Sequence, residues 1–592
     1  MCGYILSNTK NKKKFLSVRK YILRRGPDNQ SYKKINKCHL YHSRLKIIDI
    51  KSRSNQPFTD KNKKYFLIFN GEIYNFLQLI DKYKIKIKTT SDTEILFFLL
   101  KNFGLKETLR EIKGMFSFTF LDVKKNIIYC ARDHFGQKPL YYTNDKIFSC
   151  STNIKPLTKL IKNLEFDQDC VEFYLNSSGI LPINKTIYKN ILSLPAGNYL
   201  KYNLNTKKLT VREYFHPSDL ISKNYNLFLS KQNHSFLKKN LKKKIYNAVK
   251  NCLISDVKVG TLLSGGIDSS IITYFANKIE PKIASFTGIS NGIEKIPQEI
   301  VPQIIKKIKL KNPKFIKHYP HNYVDKLFEL ITTSYSPSRW GGGVPMSRIC
   351  KVAKKDDIKV LLSGDAIDEI CGGYKTFSQT KLETKNTYHQ ILEVNIKNSL
   401  VTKYKNFLEK NRQRIKDRFS HLKSKKEINK QILFIEDINI FLQTCTLPHG
   451  DEYSMHESIE LRNPYLDLDL VYFLINLPSK YKSQIHDVND NGKKLFKVIA
   501  EQIYGKKINK EKEGTRNFSK KISSQMFWDL NKFKFLKKYK IKINKLNNYK
   551  MFFKTINLEI LYQYSILKDK KFNINSILNN YGKKYFVTKN KT

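Results

Sequence analysis

Val257-Lys258-Val259-Gly260-Thr261-Leu262-Leu263-Ser264-Gly265-Gly266-Ile267-Asp268-Ser269-Ser270 reads as a strand, a glycine-rich turn and the start of a helix. Val257–Leu263 is an apolar run of strand length, and Ile271–Lys278 continues with helical spacing. Such a strand–turn–helix makes an anion cradle, because the backbone N–H groups of the turn point outward and the helix dipole favours phosphate. The glycines let backbone approach a ligand closely. The turn lacks the lysine of the G-x-x-x-x-G-K-[ST] loop and carries Asp268 instead, an acidic group suited to a magnesium ion that bridges phosphates. A second strand end, Val360–Leu362, runs into Ser363-Gly364-Asp365-Ala366-Ile367-Asp368-Glu369-Ile370-Cys371-Gly372-Gly373-Tyr374. Ligands sit at such carboxyl ends in open parallel sheets.

The neighbouring elements agree with that sheet. Lys239–Val249 and Ile300–Ile308 read as helices and Ile283–Phe286 as a strand, and strands alternating with helices predict a parallel α/β arrangement. Upstream the pattern differs. Cys38–Tyr41, Tyr65–Asn70, Phe116–Leu121 and Ile127–Ala131 are short apolar or alternating runs between turn residues, and Thr93–Asn102 is a helix started by Ser91 or Asp92. Asn70-Gly71 reads locally as a tight turn after a strand. The expected division is a first domain over 2–205, a polar linker over 206–235, a second domain over 236–525 and an extension over 526–592. The extension is too rich in aromatics for a simple disordered tail, and Asn557–Leu567 has helical amphipathic spacing.

The chain starts Met1-Cys2-Gly3. Removal of Met1 would leave a cysteine with a free α-amine, a thiol nucleophile and, with a pKa of about 8, its own base on one residue. Nine dispersed cysteines without a C-x-x-C pair fit reduced cytoplasmic thiols better than a disulfide framework or a zinc site. No apolar run reaches membrane-span length, and no secretory h-region is expected. The formal net charge of +58 would suit a nucleic-acid binder. The lysines, however, spread along the whole chain among Ile, Asn, Tyr and Phe, a pattern of compositional drift placed on solvated faces.

Five stretches follow one another after Cys2: Arg25-Gly26-Pro27-Asp28, His42-Ser43-Arg44-Leu45-Lys46-Ile47-Ile48-Asp49, Asn70-Gly71-Glu72-Ile73-Tyr74-Asn75, Ser91-Asp92-Thr93-Glu94 and Ala131-Arg132-Asp133-His134-Phe135-Gly136. In that order they resemble the class II glutamine amidotransferases. The resemblance implies an α+β N-terminal-nucleophile (αββα sandwich) domain in which Cys2 attacks the glutamine amide, with Asn70 and the Gly71 N–H as oxyanion hole. It also implies that Arg44 binds the glutamine carboxylate, Asp92 its ammonium, and that Glu72 lies beside the substrate.

S-G-G-x-D-S resembles the loop of the N-type ATP pyrophosphatases. Together with Ser363–Tyr374, Asp451-Glu452-Tyr453-Ser454-Met455 through Glu460-Leu461-Arg462-Asn463-Pro464-Tyr465-Leu466-Asp467, and Lys510-Glu511-Lys512-Glu513-Gly514, it is similar to the asparagine synthetase family. The resemblance implies that Leu262, Ser264, Gly265, Gly266, Asp268, Ser269, Ser363 and Gly364 bind ATP. Asp268 and Asp368 would hold magnesium, Asp365 would lie near an acyl-adenylate, and Lys512 would stabilise departing pyrophosphate. ATP and Mg2+ are the cofactors implied. The partners implied are glutamine, ATP and a carboxylate acceptor, and a homodimer is compatible with the pattern.

The chain departs from the family in the synthetase half. Ala366 and Ile367 replace glycines, Ser336-Pro337-Ser338-Arg339-Trp340-Gly341-Gly342-Gly343-Val344-Pro345 replaces an acidic D-E-P stretch, Lys510 replaces an arginine and Thr515 a phenylalanine. Three readings stand at this stage. The first is conversion of aspartate to asparagine. The second is the same chemistry on another carboxylate such as a uronic acid of surface polysaccharide, motivated by Arg339 and Gly341–Gly343. The third is a basic binding protein on a degenerate synthetase fold.

Overall fold

The computed structural model describes residues 2–177, 179–290, 296–318, 323–338, 343–374, 399–483, 492–505, 527–528, 533–541, 549–569, 571–572 and 578–579. Its first part holds strands β1 (Gly3–Ser7), β2 (Asn29–Ile35), β3 (Cys38–Arg44), β4 (Phe58–Thr59), β5 (Tyr65–Ile73), β6 (Gly114–Asp122), β7 (Ile127–Arg132), β8 (Tyr141–Asn144), β9 (Phe148–Ser151), β10 (Leu192–Ser193), β11 (Asn198–Asn203) and β12 (Leu209–Glu213). They form two antiparallel sheets, in the orders β10-β8-β9-β1-β3-β2 and β12-β11-β7-β6-β5-β4.

Strand alternation explains how these sheets stack. Along β5, Phe66 and Ile68 join a core shared with Tyr4, Leu6 and Leu40 of the other sheet, while Leu67 and Phe69 pack with Ile95, Leu96 and Leu99 of helix Asp92–Asn102. Successive side chains point to opposite faces, so a strand covered on both faces reads as an unbroken apolar run. The outer face of the first sheet is covered by helices Lys12–Val18 and Ile154–Leu160 through Ile5, Phe15, Val18 and Leu160. The layers are therefore α, β, β, α, as the motifs implied. Each fully buried Leu, Ile or Phe in these layers contributes about 1.5–3 kcal/mol of burial free energy.

The second part is built on β13 (Val259–Leu262), β14 (Ala284–Ser290), β15 (Asn312–His318), β16 (Val360–Leu362) and β17 (Glu460–Arg462), all parallel, in the order β15-β14-β13-β16-β17. Helices His234–Cys252 and Ile267–Ile279 contribute Leu241, Ile245, Ile271 and Ile272 to one core, while Cys350 and Ala353 of helix Gly343–Lys355 pack with Phe286 and Leu361 in another. The chain leaves β13 toward β14 and β15, then returns to the other side for β16 and β17. The order thus reverses between β13 and β16, and a crevice opens at their carboxyl ends. Both glycine-containing motifs begin there.

Three local expectations change. The stretch read as an irregular linker contains β12, paired with β11 from Asn198↔Glu213 to Tyr202↔Leu209, and helix Lys223–Ser230. Its alternating Leu209-Thr210-Val211 pattern is short and set between Lys207-Lys208 and Arg212-Glu213, so it did not stand out as an edge strand. Asn70-Gly71 makes no turn, because β5 runs through it to Ile73 with Gly71 opposite Phe116. The helix expected over 557–567 begins earlier, at Tyr549–Leu561. Its Ile556, Leu558 and Leu561 pack with Ile154 of the first part and Leu327 and Leu330 of the second.

Candidate active sites

Cys2 immediately precedes β1 and is buried. Its backbone N–H donates to Asn70 Oδ1 at 2.9 Å. That bond fixes the Asn70 amide and leaves Nδ2 buried with no hydrogen-bond partner among the described residues. An unmet buried donor costs about 1–3 kcal/mol, so its retention next to a nucleophile points to a transient acceptor. Burial pushes the Cys2 thiol up, with the Leu45 backbone and the Arg44 guanidinium pulling the other way. The thiol therefore needs a base to react.

Gly71 follows with φ +150°, and a Cβ there would lie 2.0 Å from the Met115 carbonyl oxygen. Only glycine lets β5 approach β6 this closely while remaining paired to it.

Glu72 and Asp92 are buried on the same site. Asp92 Oδ2 accepts from Ile73 N at 2.8 Å, and Ser91, the cap of helix Asp92–Asn102, donates toward its other oxygen at 3.4 Å. Burial raises the Asp92 carboxyl to about 6 against the backbone bonds from Ile73 and Thr93. Glu72 is pushed well above the ordinary range by burial, then by Asp92 and Glu460, with Arg462 opposing.

Arg44 is also buried, but its terminal nitrogens are taken up by the 48–55 loop. One bonds Lys51 O and Asn55 Oδ1 at 2.9 Å each, and the other bonds Ile48 O at 3.1 Å and Asp49 O. The structure thus gives Arg44 a loop-anchoring role, and a substrate carboxylate would have to share or replace those bonds.

In the second part, Gly266 precedes helix Ile267–Ile279 without a side-chain cap, leaving the first N–H groups open to an anion. Ser269 Oγ accepts from Ser264 N at 3.1 Å and ties the turn to the helix. Gly364 packs on this turn: a Cβ there would meet Ser269 N at 2.7 Å. The two motifs therefore touch backbone to backbone at the ends of β13 and β16. Ser363 Oγ donates to Asp365 Oδ2 at 2.7 Å. Ala366 takes φ +86°, a left-handed conformation, which accounts for the glycine the family pattern expects there.

Asp268 and Asp368 converge on one cation, the ammonium of Lys493. Its Nζ lies 2.9 and 3.0 Å from the Asp268 oxygens and 2.8 Å from Asp368 Oδ1. Two carboxylates focused on one position make an all-oxygen donor set that fits Mg2+. The Gly-Gly pair explains how Lys493 reaches it. A Cβ on Gly373 would meet Asp368 Oδ1 at 1.9 Å, and one on Gly492 would meet Gly372 O at 2.0 Å. Lys493 was not legible as a site residue, because Lys493-Lys494 resembles the many surface lysines. Lys510, Lys512 and Thr515, with Arg339, Trp340, Gly341 and Gly342, lie outside the described residues.

Two motifs serve the joint between the parts. Arg25 Nε donates to Cys2 O at 3.1 Å, and its terminal nitrogens form a bidentate pair with Asp451 at 2.7 and 3.2 Å. Lys138 Nζ donates to Leu461 O at 3.1 Å, and Lys359 pairs with Asp28 at 2.7 Å.

Residues 1–215 match the family described as Glutamine amidotransferase domain, and residues 240–533 that described as Asparagine synthase. Asparagine synthetase [glutamine-hydrolyzing] 1 of Bacillus subtilis is 26% identical over 571 residues, covering 87% of this chain and 86% of the relative. A Methanocaldococcus jannaschii relative, provisionally named asparagine synthetase [glutamine-hydrolyzing] 2, is 30% identical over 396 residues, covering 62% of this chain and 73% of the relative. With an αββα sandwich joined to a parallel-sheet α/β domain, the chain belongs to the family of glutamine-hydrolysing asparagine synthetases.

Proposed function

We propose that the chain transfers the amide nitrogen of glutamine to aspartate, activated by ATP as an acyl-adenylate, and releases glutamate, AMP and pyrophosphate. The observation that carries the glutaminase half is the Cys2 N–Asn70 Oδ1 bond, which leaves the Asn70 amide nitrogen as a spare buried donor in contact with the nucleophilic residue.

On this reading Met1 is removed, and the α-amine of Cys2 takes the thiol proton. The thiolate adds to the glutamine side-chain carbonyl, and Asn70 Nδ2–H with Gly71 N–H bind the oxyanion. Collapse expels ammonia, which carries the proton away, and water frees glutamate from the thioester. Asp92 and Glu72 accept from the substrate ammonium.

In the second part the Ser264–Ser269 turn holds ATP phosphates and Asp365 faces the acceptor side. Mg2+ held by Asp268 and Asp368 would neutralise charge on departing pyrophosphate. Lys493 keeps the two carboxylates convergent. Residues 2–205, extended through β12, serve as glutaminase and 236–525 as synthetase, while helix Tyr549–Leu561 packs against both.

Glutamine-dependent pyrophosphate release, assayed with a panel of acceptors, tests the reading. Release with aspartate and none with uronates supports it. Release with a uronate and none with aspartate moves the acceptor. No release with any acceptor, alongside salt-sensitive RNA binding, would favour a binding protein.

A further inference from the structure

Arg462 belongs to β17 of the synthetase sheet, yet its side chain reaches the glutamine site. Its carbonyl accepts from Ser363 N at 2.9 Å, so its backbone carries the start of the nucleotide motif. Its side chain is fully buried. Nε donates to Glu460 Oε1 at 2.6 Å, and Nη1 donates to Cys252 O at 2.8 Å and Ile254 O at 2.7 Å. Nη2 is left 3.4 Å from Glu72 Oε1, and it makes no hydrogen bond among the described residues. Glu72 Oε2 is likewise buried without a hydrogen-bond partner among them. A buried guanidinium N–H and a buried carboxylate oxygen, both unmet and facing one site, call for a third polar group.

We propose that Arg462 is a positioning residue for glutamine: the synthetase half supplies the guanidinium that holds Glu72 Oε1 and aims Glu72 at the substrate's ammonium. The inference rests on the glutaminase reading of the Cys2 site. Glu72 is out of water and close to Asp92 and Glu460, and each of these conditions favours its protonated form. Arg462 is the largest opposing charge. Without it the buried Glu72 loses the guanidinium 3.4 Å away that orients it, and its carboxyl is no longer held where the ammonium needs an acceptor. The oxyanion donors and the thiol belong to Asn70, Gly71 and Cys2, so chemistry on bound glutamine does not depend on Arg462.

The test compares Arg462→Met, Arg462→Lys, Glu72→Gln and the Arg462→Met/Glu72→Gln double variant of the full chain. Two readouts are used: steady-state glutamine hydrolysis, and alkylation of Cys2 by a glutamine-analogue chloromethyl ketone or by iodoacetamide, followed on the Cys2 peptide by mass spectrometry. Arg462→Met is expected to raise the glutamine KM about tenfold or more, with kcat changed by less than about threefold. It should slow the analogue by a similar factor and leave iodoacetamide unaffected. Arg462→Lys should restore part of the KM. Glu72→Gln should match Arg462→Met, and the double variant should lose no more than either single one.

Equal slowing of both reagents, a fall in kcat at constant KM, or additive losses in the double variant would each overturn the proposal. Should Arg462→Met fail to fold, Arg462→Lys and Glu72→Gln decide: an unchanged KM in both overturns it. A wild-type chain that neither hydrolyses glutamine nor reacts with the analogue overturns the glutaminase reading itself, a separate result from a variant that behaves like an active wild type.

Discussion

Arg25 and Asp451 form a bidentate ion pair across the two halves, with both side chains at least 97% buried, and the same guanidinium holds the carbonyl of Cys2. Cys2 is thereby tied to the second part through one side chain. Removing one partner of a buried pair strands the other and costs about 3–5 kcal/mol. Arg25→Met should lower the thermal midpoint by several degrees. An unchanged midpoint would show that the pair does not hold the halves together.

Asn70 carries the glutaminase prediction. Losing one oxyanion donor costs about 10²–10³-fold in kcat. Asn70→Ala should lose that much in glutamine hydrolysis while synthesis from added ammonium persists, as measured by pyrophosphate release with each nitrogen source. Equal loss with both sources would mean that Asn70 supports the fold and not the oxyanion.

Asp92 sets an acid limb. Its carboxyl is raised to about 6, so below that pH it is protonated and can no longer accept fully from an ammonium. kcat/KM for glutamine should therefore fall as pH drops through about 6, and Asp92→Asn should be uniformly weak with the limb removed. The sign for stability is opposite to that of a salt-bridged acid. The unfolded carboxyl ionises near 4, so this group disfavours the fold progressively between pH 4 and 6 and fully above 6. A limb that survives in Asp92→Asn would assign it to another group.

Backbone conformation gives a pair of opposite predictions. Gly71→Ala sets a Cβ against the Met115 carbonyl and should cost about 3 kcal/mol or more. Ala366→Gly relieves a left-handed alanine at about 1–2 kcal/mol, against about 0.5–1 kcal/mol of glycine entropy. Calorimetry should show a large fall for the first and a slight rise for the second. A fall for Ala366→Gly would contradict the strain argument.

Asp268→Asn and Asp368→Asn should each abolish ATP-dependent pyrophosphate release and leave glutamine hydrolysis measurable. Retained release in both would remove them from the nucleotide site.

Much of this was legible where local pattern and chemistry coincide. The β13 turn announces itself through an apolar run, two glycines and a helix start, while the order reversal beside it is a property of the folded sheet. The Cys2, Asn70 and Asp92 set was readable through motif order. What stayed hidden depends on long-range contact. Lys493 looks like any other lysine in a chain of such charge, and Arg462, though part of the family-like Glu460–Asp467 stretch, carries no role there; only the close approach permitted by Gly372-Gly373 and the pairing of β16 with β17 bring them to their carboxylates. Asn70-Gly71 misled for a related reason: the sequence shows a turn-prone dipeptide, while tertiary pairing with β6 keeps the strand extended. The resemblance assigns Arg44 to the glutamine carboxylate, and its bonds to the 48–55 loop depend on contacts invisible in sequence.

On the proposed function, nitrogen freed at Cys2 is delivered to the acceptor at the β13–β16 crevice. Incubation with ATP, aspartate, magnesium and amide-15N-labelled glutamine, with unlabelled ammonium in the buffer, tests it directly by mass spectrometry of the product. The account predicts 15N-amide asparagine formed in step with pyrophosphate in the wild type, and only unlabelled asparagine in Cys2→Ala. Glutamine hydrolysis with no 15N in any amide product would contradict it.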